Sequence, residues 1–157
     1  MAQKYVSPSN TFSIEYPEDW KLERQDGGML TLCKKGGLFK KDSRNTLSIT
    51  PMVSDKVISP EAYQALLNLR KKEHQDLEVI DKPDNYVMNF HILKYQKEDY
   101  QDAGERTFLM VQYYWELIIS NRIFTCSFTV QKDEADSPKA KEEKETAEKI
   151  LFSLRLL

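Results

Sequence analysis

Histidine and cysteine are scarce in this chain: His74, His91, Cys33 and Cys126 are the whole supply in 157 residues. That leaves little material for a histidine-based triad or a metal site. Neither cysteine has a second Cys or a His at metal-ligand spacing. Each stands alone in an apolar strand pattern, so two buried free thiols are expected rather than a disulfide. Glycine numbers only 5. Its pairs lack the G-x-G-x-x-G and G-K-[ST] frames of phosphate loops, and no G-x-S-x-G elbow places a serine nucleophile. No run is long and apolar enough to cross a bilayer, and residues 1–6 lack the apolar centre of a secretory signal. With Met1 as the natural start, a cytoplasmic protein is expected; a periplasmic or lipoprotein location would require a removed leader. A dominant charge sign is missing too. The 23 basic and 25 acidic side chains leave a net charge of −2, which argues against nucleic acid as a partner and leaves any anionic surface to a local patch. No cofactor or metal is implied.

What is present describes one globular domain over residues 1–157. The chain is long enough to bury about 70% of its unfolded surface in one core, and 40% hydrophobic with 31% charged residues suits a well-solvated fold. No repeat, low-complexity tract or linker divides it. Phe12, Ile14 and Tyr16 alternate with Ser13 and Glu15, the period of a half-buried strand. Pro17 suits a tight turn, and Trp20 and Leu22 restart the alternation beyond it. Gln25, Asp26, Gly27 and Gly28 read as a hairpin turn before a returning strand over 29–33. Another strand is expected over 46–51.

Ser59 followed by Pro60 is a helix start, with a hydroxyl N-cap and proline at the first helical position. Ala62, Tyr63, Leu66, Leu67 and Leu69 mark its buried stripe, and the helix should run to about residue 75. After a short strand over 77–80 and a turn at Pro83, Asp84 and Asn85, longer strands are expected over 86–95, 106–119 and 122–130. Their short links force antiparallel pairing. Ser137 and Pro138 repeat the start signal for a last helix, with Ala140, Ala147, Ile150, Leu151 and Leu154 on its inner face. Residues 139–146 read as its wet face, with Lys141, Glu145 and Lys149 at ion-pair spacing. The strands near 108–111 and 123–126 are apolar on both faces, so both faces should be covered. The expected architecture is α+β, a three-layer α/β/α sandwich around a central antiparallel sheet.

The segment F-x-I-x-Y-P at residues 12–17, followed by Trp20, resembles the N-terminal hallmark of the PsbP-like superfamily. That group includes PsbP itself, a Ran-binding nuclear import factor of the same fold, and bacterial DcrB-like proteins. The ending Ile150, Leu151, Phe152, Ser153, Leu154 and Arg155 is similar to the group's closing helix. The resemblance implies a fold with no shared catalytic site, with members acting as accessory, binding or chaperone-like proteins. It also implies that Tyr16 and Trp20 pack the corner into the core.

Two clusters remain as binding candidates. Lys34, Lys35, Lys40, Lys41 and Arg44 surround Gly36, Gly37, Leu38 and Phe39, a composition suited to phosphate, an acidic partner or a membrane surface. The plainer reading is a solvated hairpin whose lysines guard against aggregation. Tyr113 and Trp115 share one sheet face, with Tyr95 and Tyr100 near in sequence; they fit a ligand groove, an interface, or ordinary packing. His74 and His91 read as structural, and Cys33 beside Lys34 and Lys35 raises the question of a lowered thiol pKa. No catalytic residue is assigned. The expected function is a non-enzymatic binding or accessory protein acting through an unknown protein partner. The alternative is a DcrB-like carrier holding a small apolar ligand or hydrophobic peptide against the sheet.

Overall fold

The computed structural model describes residues 2–26, 28–83 and 89–157. In chain order the elements are β1 (Ala2–Val6), β2 (Phe12–Pro17), β3 (Trp20–Asp26), β4 (Met29–Lys34), β5 (Thr46–Val53), α1 (Pro60–Glu73), β6 (Glu78–Pro83), β7 (Asn89–Ala103), β8 (Arg106–Ile119), β9 (Arg122–Gln131), α2 (Pro138–Phe152) and β10 (Arg155–Leu156). The expected turn residues Gly27, Asp84 and Asn85, and the start of the strand expected from residue 86, lie outside the described residues.

The strands form two antiparallel sheets, one in the order β1-β2-β10 and one in the order β3-β4-β5-β9-β8-β7-β6. Hairpin geometry explains the long central pairings. Gly104 closes the β7–β8 link at φ +70°, and Ser120 closes the β8–β9 link at φ 58°. In both, the first residue of a two-residue turn takes the left-handed backbone that matches strand twist. The β7–β8 register then runs unbroken from Phe90 opposite Ile119 to Ala103 opposite Arg106.

Both helices start where hydroxyl caps place them. Ser59 Oγ accepts from the Ala62 N–H and Ser137 Oγ from the Ala140 N–H, each at 3.1 Å. The main core joins Phe12, Ile14, Tyr16 and Trp20 to Leu30, Leu32, Leu47, Ile49, Phe124, Phe128 and the α2 residues Ala147, Ile150 and Leu151. Each fully buried Leu, Ile or Phe among them contributes about 1.5–3 kcal/mol. A second cluster packs Leu67 of α1 on Leu93 and Ile118. Strand alternation separates the two: Trp115 and Leu117 belong to the first, Ile118 to the second.

Several expectations change. The unbroken burial on β8 falls at Trp115–Ile119, whereas Phe108, Leu109 and Met110 are half-buried. Ala62 and Leu69 of α1 are exposed, and the inward positions are Tyr63, Leu66, Leu67 and Arg70. These follow the i, i+3, i+4, i+7 rule, with Arg70 taking the fourth place because Glu116 lies beneath it. Glu143 of α2 is buried at 1% exposure, not on the wet face. Its Oε2 accepts from Asn45 Nδ2 at 2.6 Å, while Oε1 finds no partner among the described residues. Arg155 leaves the helix for β10, opposite Ser13. Among the described residues, no helix is long and apolar enough to cross a membrane.

Candidate functional site

Segment 34–44 joins β4 to β5 and has a closed base and an open tip. The Gly36 N–H donates to Asp42 Oδ1 at 2.9 Å, and Asp42 pairs with Lys21. Those two interactions, the Lys21 hydrogen bond first, hold the Asp42 carboxyl below its usual range. The Ser43 N–H donates to the Lys34 carbonyl and the Lys40 N–H to the Gly37 carbonyl, both at 2.9 Å. A Cβ on Gly36 would fall on the Lys40 and Lys41 carbonyls, so only glycine allows that approach.

Beyond this base, Leu38 is 87% and Phe39 101% exposed. Phe39 also holds φ 66°, a left-handed backbone that costs a side-chain-bearing residue about 1–2 kcal/mol. Lys34 lies 3.6 Å from Glu142 and 4.0 Å from Asp19. Lys35, Lys40, Lys41 and Arg44 are exposed, and among the described residues none has a carboxylate within ion-pair distance. The structure therefore gathers these expected residues at one place.

Tyr113 and Trp115 lie elsewhere, under α2. Trp115 is fully buried, and its Nε1–H donates to Glu148 Oε2 at 2.9 Å. Lys144 Nζ sits 4.1 Å from the centre of the half-buried Tyr113 ring. Burial lowers the Lys144 pKa. Lys94 closes the rim at 2.7 Å from Glu148. The aromatic pair is thus packed beneath a charged edge, and Tyr100 is separate from it, 71% exposed.

No family model matches the sequence, and no curated protein does. Solved structures do match. A crystal structure from Bacteroides thetaiotaomicron VPI-5482 superposes with a TM-score of 0.66 at 21% identity, covering 99% of this chain and 48% of that one. The chain thus spans about half the length of that protein. The solution structure of cyanobacterial PsbP (CyanoP) from Synechocystis sp. PCC 6803 superposes with a TM-score of 0.51 at 13% identity, covering 99% of this chain and 92% of that one. The chain has a PsbP-like fold.

Within the PsbP-like fold, Phe12, Ile14, Tyr16 and Trp20 are core: Ile14 and Trp20 are at most 1% exposed and Tyr16 is 8%. Two polar constellations lie outside both binding candidates, and one of them includes His91, expected as a structural histidine. On the face under α1, Glu116 is 3% exposed. It pairs with Arg70 Nε, accepts from Arg70 Nη2 at 3.4 Å, and accepts from the Tyr95 hydroxyl at 2.6 Å. Burial first, then that hydrogen bond, pushes the Tyr95 pKa up. Tyr95 also stacks between His74 at 4.0 Å and Tyr114 at 5.3 Å. The alternation of β7 and β8, once in register, puts Tyr95 opposite Tyr114; register was the signal needed to see the ladder.

The second constellation is a cleft of about 420 Å³ beside the start of α1, lined by Val57, Ser59, Tyr63, His91, Ile118 and Ser120 among others. His91 stacks on Tyr63 at 3.9 Å, and its Nδ1–H donates to Asp81 Oδ1 at 2.5 Å, while Nε2 has no hydrogen-bond partner among the described residues. Both histidines therefore have structural partners. The Cys33 thiol is not activated by its lysine neighbours: it is buried, and burial raises its pKa. Cys126 is raised by burial as well. Among the described residues no cluster of His, Cys, Asp or Glu has the grouping to hold a metal ion.

Proposed function

We propose that the chain is a non-enzymatic binding or accessory protein that works by surface contact with a partner, and that segment 34–44 is its contact segment. One contrast carries the reading. Trp115 is buried and Tyr113 half-buried under α2, whereas Leu38 and Phe39 are exposed among Lys35, Lys40, Lys41 and Arg44, which have no ion-pair partner among the described residues. An acidic partner surface complements that tip. Two features of the wider reading belong here. An α/β/α layering is supported by the helices packing on alternate residues of the same strands, and a cytoplasmic setting by the two free thiols.

Replacing Lys34, Lys35, Lys40 and Lys41 by Ser tests the contact. The tagged variant, expressed at native level, should lose the material that the wild-type chain recovers from its own cells while its melting temperature stays unchanged. Recovery of the same material at the same yield would sink the reading.

A carrier role is the second reading, and the His91 cleft favours it. Val57, Ile58, Pro60 and Ile118 give that cleft an apolar lining, with Ser59, Gln64 and His91 as polar points. Extraction of the purified chain with organic solvent, followed by mass spectrometry, should recover an apolar small molecule if this reading holds. An empty extract counts against it.

A further inference from the structure

We infer that segment 34–44 docks the chain on an anionic lipid bilayer, with Leu38 and Phe39 entering the interface among Lys35, Lys40, Lys41 and Arg44. The inference rests on the reading of this segment as the contact and names the surface that it meets.

Shape is the first argument. The two apolar side chains at the tip are 87% and 101% exposed, so they protrude into solvent. A protein partner would need a pocket matched to such a protrusion. A bilayer interface accepts any apolar protrusion and asks only that cations stand beside it.

The second argument is that the tip is held outward. Asp42 ties the Gly36 N–H and Lys21 together, and the Ser43 N–H closes onto the Lys34 carbonyl. Gly36 lets the Lys40 and Lys41 carbonyls approach where a side chain would block them. Phe39 then sits in a left-handed backbone at φ 66°. An aromatic ring exposed to water on a costly backbone returns nothing to folding, and a contact outside the chain would account for its place there.

Charge supplies the third. The segment holds five cations and one carboxylate in a chain whose net charge is −2. An anionic surface therefore attracts this segment and repels the remainder, which fixes the orientation with the tip facing the bilayer. Lys21 is committed to Asp42, and Lys34 is drawn to Asp19 and Glu142. Lys35, Lys40, Lys41 and Arg44, with no ion-pair partner among the described residues, flank the apolar pair. Two apolar side chains and four cations make a reversible dock, sensitive to salt, and not a permanent anchor.

The test is co-sedimentation of the full chain with vesicles of phosphatidylcholine alone and of phosphatidylcholine with about one-third phosphatidylserine. The chain should pellet with the anionic vesicles at low salt, stay in solution with the neutral ones, and be released by about 0.5 M salt. The double variants Leu38→Ser/Phe39→Ser and Lys40→Ser/Lys41→Ser should each weaken partitioning by about tenfold or more without lowering the melting temperature. As a second readout, Phe39→Trp should show blue-shifted emission on anionic vesicles, against the constant background of the buried Trp20 and Trp115. Failure to pellet with anionic vesicles, or equal pelleting by the Leu38→Ser/Phe39→Ser variant, overturns the inference. If vesicles are ignored while the four-lysine variant still loses its recovered material, the surface met by the loop is an acidic protein: the contact reading stands and the membrane inference falls.

Discussion

Phe39→Gly should leave the fold as stable as before or make it slightly more stable, although it removes an entire aromatic side chain. Removing a buried Phe typically costs about 3–5 kcal/mol. Phe39 is 101% exposed, so no burial is forfeited. Its backbone at φ 66° costs a non-glycine residue about 1–2 kcal/mol, and glycine lifts that strain. Against this, glycine frees the unfolded chain by about 0.5–1 kcal/mol. The balance runs from about zero to 1.5 kcal/mol of added stability, or an upward melting shift of no more than about 5 °C for a domain of this size. Phe39→Asn gives an independent check, because asparagine tolerates the left-handed region without glycine's unfolded-state freedom. Urea and thermal melts of both variants supply the measurement. A loss of about 1 kcal/mol or more in both would mean that the ring packs against the protein. The picture of an aromatic held free at the loop tip would then fail.

Other parts of the fold make separate predictions. Arg70→Ala strips the Glu116 carboxylate of its charged partner, leaving Tyr95 as its remaining donor, and should cost about 3–5 kcal/mol in urea unfolding. Arg70→Met combined with Glu116→Leu should recover most of that loss; an Arg70→Ala effect no larger than that of an exposed arginine would refute the buried pair. Burial raises the Glu148 pKa, but hydrogen bonds from Lys94 and Trp115 outweigh it and hold the carboxyl below its ordinary 4.5. A depressed carboxyl stabilises the fold above pH 4.5, and that contribution is lost as pH falls through the lower folded value. Lys94→Met should therefore lose stability at pH 7 and lie closer to wild type at about pH 3, and a pH-independent difference would contradict this. Gly36→Ala should open the loop base and speed tryptic cleavage after Lys40 and Lys41, read by timed proteolysis; an unchanged rate would mean the base has room for a side chain.

What could be read from the sequence was what local chemistry decides. Ser59 and Ser137 cap the helices they were expected to start, and Ser120 with Asn121 makes the tight link between β8 and β9, because caps and turns depend on a few adjacent residues. The corner from Phe12 to Trp20 was legible for the same reason. Leu69 looked like stripe but is exposed, and Glu143 looked like solvent face but is buried. In both cases the partner across the interface, invisible in one segment, decides. Arg70 takes an inward position because Glu116, 46 residues away, waits beneath it. Arg155 joins β10 because β2 offers it a free edge. The basic loop was recognisable by composition, but its free tip was not. That needed the Gly36 approach, the Asp42 tie and the backbone of Phe39. Alternation alone set Tyr114 on the face opposite Tyr113 and Trp115, but placing Tyr95 beside Tyr114 needed the register of β7 against β8.

On the proposed reading, Leu38 and Phe39 meet a surface outside the chain. A photo-crosslinking amino acid placed at position 39 in the living cell tests it most directly, with Glu61 on the exposed side of α1 as the control position. A discrete adduct, protein or lipid, is expected from position 39 and none from position 61. No adduct from position 39, or the same diffuse labelling from both, would contradict it.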